Sequence, residues 1–225
     1  MGFEVTIACY LLLLLIPLYA SIRVRATYNS CKKKENKKGY TGYDVAKKIL
    51  DENGLTDIYI VETNGTMTDA YDSNRRVLRL SKEVFHGTSL AASAIAAHEC
   101  GHAIQDAKDY SWFKRRHAMW PAVSLGEKVS YIILILGLIL NILDMIYVAV
   151  GLMVFGLAFE IVTLPCELDA SKRGLKLLTE YELVDNKEKL TAKKMLSAAA
   201  FTYIAAILTT LLQMLYYISR YSRRK

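Results

Sequence analysis

Three long apolar blocks dominate the hydropathy pattern of this 225-residue chain. They cover residues 5–20, 119–164 and 196–218, and Asn141 and Asp144 interrupt the second block near its middle. An α-helix rises about 1.5 Å per residue, and the hydrocarbon core of a bilayer is about 30 Å thick. Each block is therefore long enough to cross, or nearly cross, a bilayer. The second block is long enough to cross twice, as a helical hairpin that turns at the two polar residues.

The stretches between these blocks have the patterns of a water-facing region. Residues 41–53 have the period of an amphipathic helix, with the apolar positions on one face. Residues 57–62 and 76–80 alternate as short β-strands do, and an extended peptide could bind along the second of them as an edge strand. Thr88 or Ser89 then caps an alanine-rich helix. We therefore expect helices with a small β-sheet.

The composition excludes an ordinary soluble protein, because 53% of the residues are hydrophobic. The formal net charge is +7, and much of it follows the first apolar block. These positive residues are Arg23, Arg25, Lys32, Lys33, Lys34, Lys37 and Lys38. Since Lys and Arg favour the cytoplasmic side, the block is interpreted as a retained anchor with its N-terminus outside, rather than a cleaved signal peptide. The basic run predicts contact with anionic lipid and not with nucleic acid.

One motif in the alanine-rich helix indicates metal chemistry. It is His98-Glu99-Cys100-Gly101-His102, an H-E-x-x-H pattern. Residues four apart lie on one face of a helix, so both imidazoles can reach one ion. Glu99, next to the first histidine, can then act as a general base toward water at that ion. Cys100 is expected to point away from this face as a small buried residue.

A third protein ligand is needed, because hydrolytic zinc sites have three protein ligands and one open position. The candidates are Glu160, inside the second apolar block, and Glu167, just after Pro165 and at the predicted start of a further helix. We favour Glu167, since a carboxylate at membrane depth is costly. Topology supports this choice. His98 and Glu167 must meet one ion on the same side of the membrane, so the apolar block between them must cross the membrane an even number of times. The turn of that block has no Lys or Arg, as is typical of an external loop. Cys166 is interpreted as a buried apolar residue rather than a ligand.

These patterns predict a mostly α-helical membrane protein. A gluzincin-like catalytic domain, made of helices with a small β-sheet, is joined to about four transmembrane helices that include a hairpin. The expected segments are an anchor (1–22), a cytoplasmic catalytic region (23–120), the hairpin (121–164), a third-ligand helix and connector (165–195), and a last transmembrane helix with a basic tail (196–225). That last helix either spans or lies partly in the interface, because spanning would place the basic tail outside.

Several short motifs, in order across most of the chain, resemble those of the YugP-like bacterial family of neutral zinc metallopeptidases. These are integral membrane proteins distantly similar to HtpX and the CAAX prenyl proteases. The matching stretches are 41–42, 53–55, 68–72, 80–81, 96–105, Arg116 with Pro121, and 164–171. The chain departs from the family at Ala70, where the family usually has His, and at Cys100 and Cys166, where small apolar residues are usual. Ser171 occupies a position that is Asp in the wider gluzincin pattern.

The resemblance implies Zn²⁺ bound by His98, His102 and Glu167, with Glu99 as catalytic base. It implies a multi-pass protein of the bacterial plasma membrane that hydrolyses peptide bonds through a Glu-activated, zinc-bound water. The partners would be the lipid bilayer and a peptide or protein substrate, including membrane proteins. Candidates for orienting a ligand or stabilising the oxyanion are Asp169, Arg173, His117, Arg116 and Tyr71.

Two other functions fit the same sequence. One is a non-catalytic membrane scaffold with a structural zinc site, which would have no use for Glu99. The other is a zinc hydrolase of a non-peptide amide, which would need no peptide-binding edge strand.

Overall fold

The computed structural model of the protein describes residues 3–221. Across these residues the elements are α1 (Phe3–Lys32), α2 (Gly42–Glu52), β1 (Tyr59–Thr63), β2 (Ala70–Asp72), β3 (Val77–Ser81), α3 (Lys82–Phe85), α4 (Leu90–Ala107), α5 (Ser111–Leu140), α6 (Leu143–Glu180) and α7 (Asn186–Tyr221). The chain divides into two compact units. The apolar unit comprises Met1–Ser21, Arg115–Pro165 and Phe201–Lys225, and the sheet unit comprises Ile22–Lys114 and Cys166–Ala200.

The four long helices account for the apolar blocks. By length and composition, α1, α5, α6 and α7 can each cross a membrane, which confirms the prediction of about four spans with a hairpin. Large apolar side chains remain exposed on their outer faces; Leu14 is 62% exposed and Ile139 is 73% exposed. Lipid would cover such faces. Asn141, in the turn between α5 and α6, has a positive φ of 54°, a conformation that Asn tolerates better than most residues.

The long helices extend beyond the apolar blocks that predicted them. α1 continues to Lys32, and α7 begins at Asn186. Hydropathy indicates only the segment that suits a bilayer, whereas Lys, Arg and Glu are good helix formers and continue a helix in water. The expectation that a new helix starts at Glu167 is wrong, because α6 runs without a break from Leu143 through Pro165 to Glu180. A proline removes one helical hydrogen bond, and the turns on both sides of it still continue the helix.

The sheet unit contains a three-stranded sheet in the order β1-β3-β2. β1 is parallel to β3, with Tyr59 opposite Val77, and β2 is antiparallel to β3, with Tyr71 opposite Leu78. The predicted strands correspond to β1 and β3. β2 was not predicted, because three residues are too few to show an alternation of apolar and polar positions. The expectation that residues 76–80 offer a peptide-binding edge is wrong. β3 is the central strand and pairs on both sides, so the edges belong to β1 and β2.

Helix α2 forms as its sequence predicts. The Thr41 side chain accepts from the Asp44 backbone N–H, and Asp44 accepts from the Thr41 N–H, which together form a capping box. Its apolar face is buried, including Ile49 and Leu50, and packs in one core with Leu78 of β3. Ser89 is the residue that caps α4, through a 3.2 Å bond to the Ala92 N–H. This core positions α4, which bears the H-E-x-x-H motif.

Candidate metal centre

Helices α4 and α6 bring three metal-ligating side chains together. His98 and His102 lie one turn apart on α4, and Glu167 reaches them from α6. The Nε2 atom of His98 is 3.2 Å from Oε2 of Glu167, and Nε2 of His102 is 3.6 Å from Oε1 of the same carboxylate. One ligand atom from each residue lies within 4.8 Å of the others. The two imidazoles and the carboxylate therefore converge on one point.

This convergence depends on a very close approach of the two helix backbones. A Cβ atom built on Gly101 of α4 would lie 2.5 Å from the carbonyl oxygen of Ala170. A Cβ atom built on Gly174 of α6 would lie 2.7 Å from the carbonyl oxygen of Ala97. Only glycine fits at either position without displacement of a backbone. The two glycines, one on each helix, allow the short Glu167 side chain to reach the histidines.

The donor set and spacing suit zinc. Nitrogen and oxygen ligands bind zinc at about 2.0–2.2 Å, and a tetrahedron with such bonds has edges of about 3.3 Å. The separation is 3.2 Å from His98 to one Glu167 oxygen and 3.6 Å from His102 to the other, and each is close to that value. Glu167 is only 3% exposed, and a buried carboxylate needs a compensating charge. A divalent cation at this point would supply that charge, so the residues present fit a zinc ion.

The pKa of His102 also indicates that positive charge is stabilised at this point. Burial by itself would lower the pKa of this imidazole, because desolvation disfavours the charged form. Contacts with Cys166 and with the Glu167 carboxylate outweigh burial and raise the pKa of His102 to about 10. Without a metal, a proton on His102 therefore neutralises Glu167. A bound cation would take the place of that proton.

Each histidine also has a partner at its other ring nitrogen. Nδ1 of His98 is 3.1 Å from the Ser171 hydroxyl oxygen, so the serine that replaces the expected Asp still contacts the ligand. Nδ1 of His102 is 2.9 Å from Oε1 of Gln105. The candidate Asp169 bonds to neither ring in the described contacts; its carboxylate accepts a 2.8 Å bond from Nε2 of Gln105. Gln105 was not among the predicted site residues, although its place three residues after His102 on one helix face could have indicated it.

Glu99 lies beside the three converging residues and faces the sheet. Its side chain is buried, and Oε2 accepts a 3.0 Å hydrogen bond from the backbone N–H of Tyr71 in β2. Asp69, just before β2, accepts bonds from the Ser81 N–H and hydroxyl. Burial raises the pKa of Asp69 despite those bonds, and the nearby Glu99 charge raises it further. The general-base candidate therefore has a fixed position beside an edge strand.

The remaining candidates have other partners. The Tyr71 hydroxyl donates to Asp106 at 2.8 Å, and burial raises the pKa of this phenol. Arg173 donates to Asp169, and its guanidinium lies 5.5 Å from the centre of the Tyr110 ring. His117 lies on α5 in the apolar unit. Glu160, the other candidate for the third ligand, also lies in that unit and accepts a 3.1 Å bond from the Thr210 hydroxyl. Which residue stabilises the oxyanion stays a prediction.

The cysteines beside the motif face other groups. Cys100 is fully buried, its thiol points to the Ala46 carbonyl oxygen at 3.7 Å, and burial raises the pKa of the thiol. Cys166 is also fully buried, and its thiol donates to Oε1 of Gln105 at 3.3 Å. The described metal-ligating cluster contains neither sulfur.

Together, the fold and the site define a helical membrane protein with a zinc-type set of ligands. The chain belongs to the family described as "putative neutral zinc metallopeptidase", whose model matches residues 6–222. It is also similar to the "putative membrane protease YugP" of Bacillus subtilis (strain 168), with 36% identity over 203 residues that cover 90% of each chain. No solved structure matches the chain. The chain is thus a member of a zinc peptidase family and resembles a membrane protease.

Proposed function

We propose that this protein is a membrane-embedded, zinc-dependent endopeptidase, with His98, His102 and Glu167 as zinc ligands and Glu99 as the catalytic base. The observation that carries the proposal is the convergence of the three ligand atoms within 4.8 Å. Glu99, one residue after a ligand on the same helix, is close to this point and outside the ligand set. A purely structural zinc site would have no use for a buried carboxylate there.

The ligand residues and Glu99 have separate tasks in this proposal. Zinc, when bound, acts as a Lewis acid that makes water a better nucleophile near neutral pH. Glu99 takes the proton from the attacking water and passes it to the leaving amine, as a general base and then a general acid. The Tyr71 N–H, 3.0 Å from Oε2, fixes one oxygen of the Glu99 carboxylate beside β2.

The position of β2 supports an extended peptide as substrate. Among the described residues, β2 pairs only with β3, and its other side faces α4. On that side the N–H of Tyr71 bonds to Glu99 and not to β3, so a peptide strand would use the remaining backbone groups of β2. A peptide that adds to β2 as a further strand would present its backbone beside Glu99, with little dependence on its side chains. A non-peptide amide would leave this edge unused.

The decisive experiment separates the base from the metal ligands. Purified full-length protein is incubated with a proteome-derived peptide library, and bound zinc is measured in parallel. Glu99→Gln keeps the size of the side chain but removes the base, so zinc content should stay near wild type while hydrolysis falls about 10²-fold or more. His98→Ala should lose both zinc and activity. Glu52→Gln, an exposed change on α2, is the matched control and should alter neither.

Each alternative function predicts a different result. A scaffold with structural zinc would bind the metal and cleave nothing, and a non-peptide amidase would cleave amides outside the library. If Glu99→Gln cleaves a verified substrate as fast as wild type, the proposed mechanism fails.

For the orientation we propose that the sheet unit faces the cytoplasm of a bacterial cell, with four spans in the plasma membrane. The support is the dense Lys and Arg run after the first apolar block. In intact cells, Lys33→Cys should escape a membrane-impermeant maleimide until the cells are permeabilised. Asn141→Cys, in the hairpin turn, should be labelled without permeabilisation. The reverse pattern would invert the proposed topology.

A further inference from the structure

Gln105 is a fully buried polar residue to which the proposed mechanism gives no task. Its side chain has 0% exposure and lies between α4 and α6. The amide makes four hydrogen bonds. Nε2 donates to the Cys166 backbone carbonyl and to the Asp169 carboxylate, both at 2.8 Å. Oε1 is 2.9 Å from Nδ1 of His102 and accepts from the Cys166 thiol at 3.3 Å. Both donors and both acceptor positions of the amide are thus in use.

The surroundings allow only one orientation of this amide. The carbonyl oxygen of Cys166 and the carboxylate of Asp169 can only accept hydrogen bonds, so the NH₂ group must face them. The amide oxygen must then face His102. A rotation by 180° would place oxygen against two acceptors and leave buried groups unpaired, at a substantial cost in stability. Arg173 fixes Asp169 in turn, because its Nε donates to the same Oδ2 atom that Gln105 contacts.

This orientation determines the protonation of the neighbouring ligand. An amide oxygen can only accept, so Nδ1 of His102 must carry a hydrogen. When a cation takes the place of the second His102 proton, the free lone pair belongs to Nε2, the atom that faces Glu167 at 3.6 Å. His98 differs, because its Nδ1 contacts the Ser171 hydroxyl, which can either donate or accept. The structure therefore imposes one tautomer on His102 and leaves the tautomer of His98 open.

We propose that Gln105 is a positioning residue that fixes the tautomer and ring orientation of His102, with Asp169 and Arg173 holding its amide in place. The proposal rests on the zinc site of the proposed function, and its support is the hydrogen-bond geometry of Gln105. It assigns different tasks to the two histidines. His102 is the preorganised ligand, and His98 is the adaptable one.

The test uses zinc-loaded, full-length protein in detergent micelles or nanodiscs. Gln105→Met keeps the length of the side chain and removes all four hydrogen bonds. Zinc affinity, measured by competition with a chelator, should weaken about 10- to 100-fold, the usual effect of losing a partner of a ligating histidine. Gln213→Met changes the other glutamine of the chain, in the apolar unit, and should bind zinc like wild type. Ser171→Ala should weaken binding less than Gln105→Met.

A second readout does not depend on affinity or on activity. The chain has four histidines, so ¹⁵N-histidine labelling gives few imidazole resonances. His86→Asn and His117→Asn identify two of them, and Ser171→Ala shifts those of His98. In the zinc-loaded wild type, His102 should show an Nδ1-bound proton that exchanges slowly with water. Gln105→Met should shift this resonance and speed up its exchange.

The outcomes separate this proposal from the proposed function. If wild type binds no zinc, the zinc site itself fails. If wild type binds one zinc ion and Gln105→Met binds it equally well, only the positioning task is overturned. If Gln105→Met does not fold, the resonance of the zinc-loaded wild type decides. An Nε2-bound proton on His102, or a rapidly exchanging Nδ1 proton, would then overturn the proposal.

Discussion

A methyl group added at Gly101 should push the two ligand-bearing helices apart and loosen the metal centre. The Cβ atom would lie 2.5 Å from the Ala170 carbonyl oxygen, whereas ordinary contact begins at 3.4 Å. Relief of the clash therefore needs a shift of about 0.9 Å between α4 and α6. Both contact atoms belong to backbone, so no side-chain rotation can relieve it.

The consequence for the ligands follows from the same distance. If the whole shift falls on the helix separation, the gap of 3.2 Å between His98 and Glu167 opens to about 4.1 Å. A tetrahedron with that edge has bonds of about 2.5 Å, well beyond the roughly 2.0–2.2 Å that zinc prefers. Zinc affinity should fall at least about tenfold, and peptide hydrolysis by about 10²-fold. Overpacking should also cost about 1–3 kcal/mol of stability.

The assay compares Gly101→Ala with Gly151→Ala, a glycine-to-alanine change inside α6 where a Cβ atom meets nothing within 4 Å. Both changes raise helix propensity by about 0.5–1 kcal/mol, so the control isolates the clash. Chelator competition measures zinc affinity, and thermal unfolding measures stability. Gly151→Ala should match or exceed wild type in both. Wild-type zinc affinity in Gly101→Ala would refute the reasoning, since the close approach would then have no part in forming the site.

Three further predictions concern single side chains. Glu167→Gln should reduce zinc occupancy at least about tenfold, while Glu160→Gln should leave it unchanged; the opposite result would reassign the third ligand. Ser171→Ala, which removes the 3.1 Å contact with His98, should weaken zinc binding by no more than about tenfold, and a greater loss would contradict the adaptable role of that histidine. Burial raises the pKa of Asp69, so the folded state binds this proton more tightly than the unfolded state. Wild-type stability should therefore fall relative to Asp69→Asn as pH rises from about 4, and a pH-independent difference in melting temperature would contradict this.

The sequence alone determined the features that depend on local patterns. Hydropathy identified the four long apolar helices, because suitability for a bilayer is a property of consecutive residues. The i, i+4 spacing placed His98 and His102 on one helix face, because helical geometry fixes that relation whatever else the chain does. The amphipathic helix over residues 41–53 and the hairpin turn near Asn141 are likewise set by neighbours in the chain. The resemblance to a zinc peptidase family depended on such short motifs.

Only the tertiary structure decided how these local pieces meet. The three residues of β2 are too few to show a period, so its place at the edge beside Glu99 could not be predicted. The passage of α6 through Pro165 could not be predicted, because one lost hydrogen bond does not decide whether a helix ends. Gly101 approaches Ala170, and three of the four hydrogen bonds of Gln105 reach Cys166 and Asp169. These contacts join α4 to a helix that lies far away in sequence. Sequence patterns encode the faces of helices, whereas contacts between helices arise from the way whole surfaces pack.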